Sequence, residues 1–205
     1  MRVRKIKDLS KKLIDYQHLL IEDPKEIKKR FDEKPLELEI GFGKGDFLIA
    51  MAKKYPERNF LGIERSGDFT LKAMRDVGEL KNILFMTGNI QEIIPLMEEN
   101  LFSGLYLNFS DPWPKARHFK RRLTYRVLLM SYQRILKKAS IVQLKTDSRE
   151  LFEFSLQQVK ALGKTPFDVT EDLHNDPLWS ENIATHYEIK FSTKGKKILG
   201  FRYRS

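Results

Sequence analysis

At 205 residues, 41% hydrophobic and 32% charged, the chain is long enough for one domain with a substantial core. It has no cysteine and only four histidines, which excludes disulfides, thiolate zinc sites and cysteine nucleophiles, and no metal is expected. A formal net charge of +10 favours a polyanionic partner, nucleic acid before membrane, because no long apolar span is present.

Residues 1–34 read as a basic N-terminal extension, with eleven Lys or Arg against seven Asp or Glu. Leu9, Leu13, Tyr16 and Leu20 fall at helical spacing, so part of it is expected as a docked helix and the rest as mobile until a partner arrives. It reads equally as an arm touching nucleic acid or as a frayed terminus. No apolar h-region follows the basic start, so no signal peptide or transmembrane helix is expected and the protein reads as cytoplasmic.

Residues 35–205 read as one domain of alternating elements. Leu36 to Ile40 is a strand, Gly41 to Gly45 a glycine-rich turn, and Asp46 an expected N-cap for a helix through Phe47 to Ala52. A second strand, Asn59 to Glu64, precedes a helix from Gly67 to Glu79 and a third strand, Asn82 to Met86. Thr87-Gly88-Asn89 turns into a helix over Gln91 to Asn100, and Gly104 to Phe109 is the fourth strand. Beyond a polar loop, a helix is expected from Arg122 to Lys138, a strand over Ile141 to Leu144, and a helix from Thr146 to Leu162. Phe167 to Leu173 reads as a strand, and Thr185 to Thr193 and Ile198 to Tyr203 as two more, joined at Lys194-Gly195-Lys196. Repeated alternation of strand and helix implies an α/β fold, a mostly parallel sheet with helices on both faces, and the last pair would form an antiparallel C-terminal edge.

The first turn, Gly41-x-Gly43-x-Gly45, lacks the G-x-G-x-x-G spacing of dinucleotide binders. Its glycines let the backbone approach a flat ligand closely. Glu39 stands between Leu38 and Ile40, where an acid in a buried strand is costly without a cation. The amino-acid end of S-adenosylmethionine carries such a cation. Glu64, at the end of the second strand, is placed to accept hydrogen bonds from ribose hydroxyls. Asn89 reads as a contact to an adenine edge or as a helix cap.

The fourth strand runs into Ser110-Asp111-Pro112-Trp113-Pro114-Lys115-Ala116-Arg117-His118-Phe119-Lys120-Arg121-Arg122: an acid, an aromatic and a cluster of cations at a strand's carboxyl end. Ligands bind there in open α/β sheets. Each part has a plainer reading beside it: Asp-Pro as a turn, Trp113 as packing, the cations as a solvated helix start.

With these residues the chain resembles the bacterial tRNA (guanine-N7-)-methyltransferases. The resemblance runs through Glu39-Ile40-Gly41-Phe42-Gly43-Lys44-Gly45, Gly62-Ile63-Glu64, the Asp111 to Leu123 run, Thr146-Asp147, and Thr185-His186-Tyr187-Glu188. Ala116 and Phe119 depart from it, standing where other members often carry basic or His residues. It implies a Rossmann-like methyltransferase domain over residues 35–205, S-adenosylmethionine as donor, tRNA as partner and 7-methylguanosine in the variable loop as product. It further implies that Glu39, Gly41, Gly43, Glu64, Asn89 and Asp111 line the donor site, with Asp111 also catalytic. Lys115, Asp147, Thr185, His186, Tyr187 and Glu188 would hold the substrate, and Arg117, His118, Lys120, Arg121 and Arg122 would touch RNA. Asp147 with Glu150 also reads as a capping box, and Thr185 and Glu188 as strand-surface residues. Nothing in the sequence requires a protein partner. Two rivals stay open: an amino methyltransferase of adenine-N6 type, whose Pro-Pro would be interrupted here by Trp113, and a non-catalytic RNA-binding protein, which leaves Glu39 and the glycine turn unexplained.

Overall fold

The computed structural model describes residues 5–205; Met1 to Arg4, the start of the basic extension, lie outside the described residues. The extension's described residues include the short α-helices α1 (Leu9–Ile14) and α2 (Ile27–Arg30), with 3-10 turns at Gln17–Leu19 and Pro24–Glu26 between them. Asp68 accepts the Ile6 backbone N–H at 2.7 Å, and Ile21, bonded through its N–H to the Phe85 carbonyl at 2.8 Å, is buried with Ile27. The segment is therefore laid against the domain along much of its length.

The domain follows as β1 (Leu36–Ile40), α3 (Asp46–Lys54), β2 (Asn59–Glu64), α4 (Gly67–Asp76), β3 (Ile83–Thr87) and α5 (Ile90–Ile93). It continues as β4 (Phe102–Asn108), α6 (Arg126–Ile135), β5 (Leu136–Thr146), α7 (Arg149–Ala161), β6 (Phe167–Thr170), α8 (His186–Ser192) and β7 (Leu199–Arg204). The seven strands form one sheet in the order β3-β2-β1-β4-β5-β7-β6. The five strands from β3 to β5 pair in parallel, and β7 pairs antiparallel with both β5 and β6. All five residues of β1 are buried, as expected for a central strand covered on both faces.

Chain direction across the sheet reverses at β1: the connection through α3 leads to β2 on one side, whereas β4 lies on the other. The crevice at the carboxyl ends of β1 and β4 is thus the switch point, where an open sheet leaves room for a ligand. The glycine turn leaves β1 there, and the Asp111 loop leaves β4. Among the described residues, no helix is long and apolar enough to cross a membrane.

Several local expectations are corrected. Thr185 to Thr193 is helix α8 rather than a strand: Thr185 accepts the Glu188 N–H at 2.9 Å and Glu188 accepts the Thr185 N–H at 3.3 Å, a capping box. Both edges of β7 are already taken by β5 and β6, so no hairpin forms and the antiparallel element is a single inserted strand. The helix expected over Gln91 to Asn100 is α5 plus a 3-10 turn at Ile94–Leu96, because Pro95 has no N–H to continue it. The helix expected from Arg122 begins at Arg126, after a 3-10 segment over Ala116–Arg121, and yields directly to β5 at Leu136. Gly45, not Asp46, caps α3.

Candidate active site

Two acids project from the same face of β1. Glu37 is satisfied by the fold: it accepts from Arg58 at 3.0 Å and from the Tyr106 hydroxyl. Glu39, 1% exposed, receives only the Asn108 side-chain amide, at 2.8 Å. Its Oε2, the Asn108 Oδ1 and the Ser110 hydroxyl are buried and have no partner among the described residues. Three of the few unpartnered buried polar atoms thus gather at the switch point, where each carries a desolvation cost. Burial raises the Glu39 carboxyl to about 7, opposed by the Asn108 amide and by the Lys145 ammonium.

Glu64 is oriented by the glycine turn. Its Oε2 accepts the Gly43 N–H and its Oε1 the Ser66 N–H, both at 3.0 Å. Gly43 makes that contact at φ 57°, and a Cβ on it would project into open space, so the turn presents bare backbone. Gly62 lets the turn lie down on β2, since a Cβ there would come within 2.6 Å of the Phe42 ring. Asn89 caps α5, accepting the Gln91 N–H at 3.2 Å. The cap reading therefore holds for it, whatever else it contacts.

Glu39 with its unpaired oxygen, the Gly41 to Gly43 backbone and the fixed Glu64 carboxylate fit the cationic, flat and hydroxyl-bearing parts of S-adenosylmethionine respectively. Among the described residues, no group of three or more His, Cys, Asp or Glu is placed to hold a metal ion.

The loop beyond β4 has an unusual backbone. Phe109 and Trp113, neither of them glycine, adopt φ values of 52° and 42°. Such residues cost energy unless their surroundings impose the conformation. Around Trp113 Arg122 supplies the constraint: its Nε and Nη2 donate to the carbonyls of Pro112 at 2.8 Å and Trp113 at 3.2 Å, and Nη2 also pairs with Glu150. Phe109 is held by its N–H on the Lys145 carbonyl at 2.8 Å. Expected on RNA, Arg122 is instead 3% exposed and holds the loop from within. The loop presents Asp111 to solvent, with no side-chain bond to another described residue. Lys115, Arg117, Lys120 and Arg121 are likewise exposed and have no acidic partner among the described residues. Trp113 packs its ring edge-on to His118 at 5.7 Å, with the Arg121 guanidinium 5.0 Å from its centroid.

The remaining site residues come from β5 and α8. Asp147 does not cap α7; Ser148 does, and Asp147 accepts from the Tyr187 hydroxyl at 3.3 Å and from Lys196 at 2.9 Å. Lys145 and Glu188 are both fully buried, 2.7 Å apart. Lys145 also donates to Asn182 Oδ1 at 3.0 Å and to the Ile183 carbonyl at 2.9 Å. Burial pushes its ammonium below the ordinary value, and Glu188 pulls it back. Glu188 further accepts from the Asn182 amide at 2.7 Å, with His174 Nε2 3.3 Å away. These contacts occupy the Glu188 carboxylate, so it fixes the start of α8 rather than presenting itself, while Thr185, His186 and Tyr187 follow outside it. Neither Lys145 nor Asn182 was singled out by the sequence. A lysine following the run Ile141 to Leu144 in the same strand is the available signal, of the same kind as the acid Glu39 within β1.

A family described as "Putative methyltransferase" matches residues 33–201. A tRNA (guanine-N(7)-)-methyltransferase of Latilactobacillus sakei subsp. sakei (strain 23K) is 44% identical over 168 residues, covering 81% of this chain and 79% of the relative. One of the same name from Limosilactobacillus reuteri (strain DSM 20016) is 40% identical over 205 residues, 97% of this chain and 96% of the relative. Among solved structures, an antibiotic-related methyltransferase superposes with TM-score 0.61 at 19% identity, covering 98% of this chain and 96% of the other. A SAM-dependent methyltransferase from Aquifex aeolicus gives 0.57 at 16% identity, with 97% and 99% covered. At those identities the structural likeness speaks for the fold alone.

Proposed function

The chain belongs to the tRNA (guanine-N7)-methyltransferase family, and from that premise we propose how its residues carry out methyl transfer to N7 of a guanine in the variable loop of tRNA. The observation that carries the reading is the cluster at the switch point: a buried carboxylate, Glu39, with one oxygen unpaired, tied through Asn108 to the strand that delivers Asp111. Glu39 takes the donor's ammonium, Gly41 and Gly43 give close backbone approach, Glu64 takes the ribose hydroxyls, and Asn89 borders the adenine. Bound there, S-adenosylmethionine supplies a methyl group on a sulfonium sulfur.

The chain's own residues then have a limited task. Guanine N7 already carries an in-plane lone pair, so no residue removes a proton to create the nucleophile. As the new N–C bond forms and the S–C bond breaks, positive charge moves from sulfur to the purine. The Asp111 carboxylate offsets that charge and borders the donor pocket, and the Arg122-held loop keeps it oriented. Lys115, Asp147, Thr185, His186 and Tyr187 hold the nucleotide, with Glu188, itself anchored by Lys145, positioning Thr185 through the capping box. Arg117, His118, Lys120 and Arg121 neutralise phosphates. A loop guanine, unstacked, meets these groups more readily than one in a duplex, whose major groove is deep and narrow. The reaction belongs where tRNA is made and matured, in the cytoplasm.

The test is nucleoside analysis of an unmodified tRNA transcript after incubation with methyl-labelled donor. Label in 7-methylguanosine is expected from the native protein and none from Asp111→Ala. Label in another nucleoside would overturn the target atom, and full yield from Asp111→Ala would remove that carboxylate from the mechanism.

A further inference from the structure

Aromatic rings lead away from the Asp111 loop past the residues that hold the nucleotide. The Phe109 ring lies 5.0 Å from Tyr187, and Tyr187 lies 4.3 Å from Phe191 on the next turn of α8. Around Phe191 three ammonium groups converge: Lys196 at 5.0 Å from the ring centroid, Lys190 at 5.9 Å and Lys194 at 6.0 Å. Lys196 is neutralised by Asp147. Lys190 and Lys194 are exposed and have no acidic partner among the described residues. From Ile189 to Leu199 the chain has four lysines and no acid.

Lys190 and Lys194 thus keep uncompensated charge beside the ring, and an exposed cation–π contact contributes little to stability. A polyanion reverses that balance. An aromatic face takes a base by stacking while the flanking ammonium groups take its phosphates, the pairing used by proteins that bind single-stranded nucleic acid.

We infer that Phe191, with Lys190 and Lys194, forms a second tRNA-binding surface, taking a nucleotide that flanks the methylated guanine. It is separate in sequence from Arg117 to Arg121 and joins the reacting loop through Tyr187 and Phe109. The inference rests on tRNA being the substrate of the Asp111 site. It places part of the recognition of the unpaired loop on α8.

The experiment measures binding of a tRNA transcript across a salt series by the native protein, Lys190→Ala/Lys194→Ala, Phe191→Leu and Phe191→Trp. Donor titration of each variant serves as the check of folding. The double lysine variant is expected to lower the slope of log affinity against log salt by about two, one for each ammonium taken from a phosphate. Phe191→Leu is expected to weaken binding roughly tenfold with an unchanged slope, and Phe191→Trp to bind as the native protein does. Native-like affinity and slope in the lysine variant, with native 7-methylguanosine formation, would overturn this surface and leave the function standing. Absence of tRNA binding or methylation by the native protein would overturn the function, and this inference with it.

Discussion

Glu37 and Glu39 differ by two positions, share one face of one strand and are almost equally buried, yet they do different work. The pattern Leu-Glu-Leu-Glu-Ile does not separate them. Glu37 is neutralised by Arg58 and accepts a hydrogen bond from the Tyr106 hydroxyl, 21 and 69 residues away, and pairings at that range are not written in local sequence. Only Glu39 keeps an unpaired oxygen. Its raised carboxyl sets a pH dependence whose sign follows directly. In the donor-free protein the native state holds that proton more tightly than the unfolded chain does, between the ordinary value of 4.5 and about 7. The stability Glu39 contributes is therefore complete below 4.5 and is lost as pH rises through about 7. Donor binding has the opposite sign, because the donor's ammonium favours the ionised carboxylate. Affinity for S-adenosylmethionine, measured by calorimetry, is expected to rise between about pH 6 and 8 with release of a proton. Glu39→Gln is expected to bind weakly with that pH dependence removed, and to be more stable than the native protein at about pH 8 without donor. A native-like pH profile in Glu39→Gln would take the cation away from this residue.

At the scale of elements, the loop from β4 to α6 combines a legible part with a hidden one. The acid, the aromatic and the cations could be read from Asp111 to Arg122, but not which cation faces inward. Arg121 and Arg122 are neighbours of identical chemistry; backbone geometry turns one onto the Trp113 ring and the other onto the carbonyls beneath it. Single substitutions should separate them. Arg121→Ala is expected to keep native thermal stability and lower the salt slope of tRNA binding by about one. Arg122→Ala leaves two loop carbonyls and Glu150 without their donor. It is expected to cost about 1–3 kcal/mol in unfolding and to slow methyl transfer at saturating tRNA. Equal stability and equal salt slopes for the two variants would contradict the division. Helix α8 shows the same limit in another form. Tyr187, Ile189 and Phe191 alternate with polar residues as a strand would, and Tyr187 and Ile189 are 40% and 52% exposed. The Thr185–Glu188 box, the buried Lys145 beneath it and the occupied edges of β7 decide for helix, and the last two are tertiary facts.

For the whole molecule, alternation of strands and helices was enough to give the α/β class, the parallel sheet and the end of its strands at which to look for a ligand. Strand order was not legible, because nothing local records that β7 inserts between β5 and β6. The packing of the N-terminal segment was legible only in part: its helical spacing was visible, whereas burial of Ile21 and Ile27 against the domain was not. The net charge of +10 favours a polyanionic partner without locating its surface. Among the described residues, the exposed cations from Arg117 to Arg121 and Lys190 and Lys194 at the end of α8 lie outside a site in which Glu39 is buried with an unpaired oxygen. Transfer of the methyl group to N7 depends on the lone pair of that one atom. Two tRNA transcripts would be compared, identical except that one carries 7-deazaguanosine at the variable-loop guanine, with tRNA binding and methyl incorporation measured on both. Equal binding, with label in the unmodified transcript alone, is the expected result; equal label in the 7-deaza transcript would contradict N7 as the acceptor.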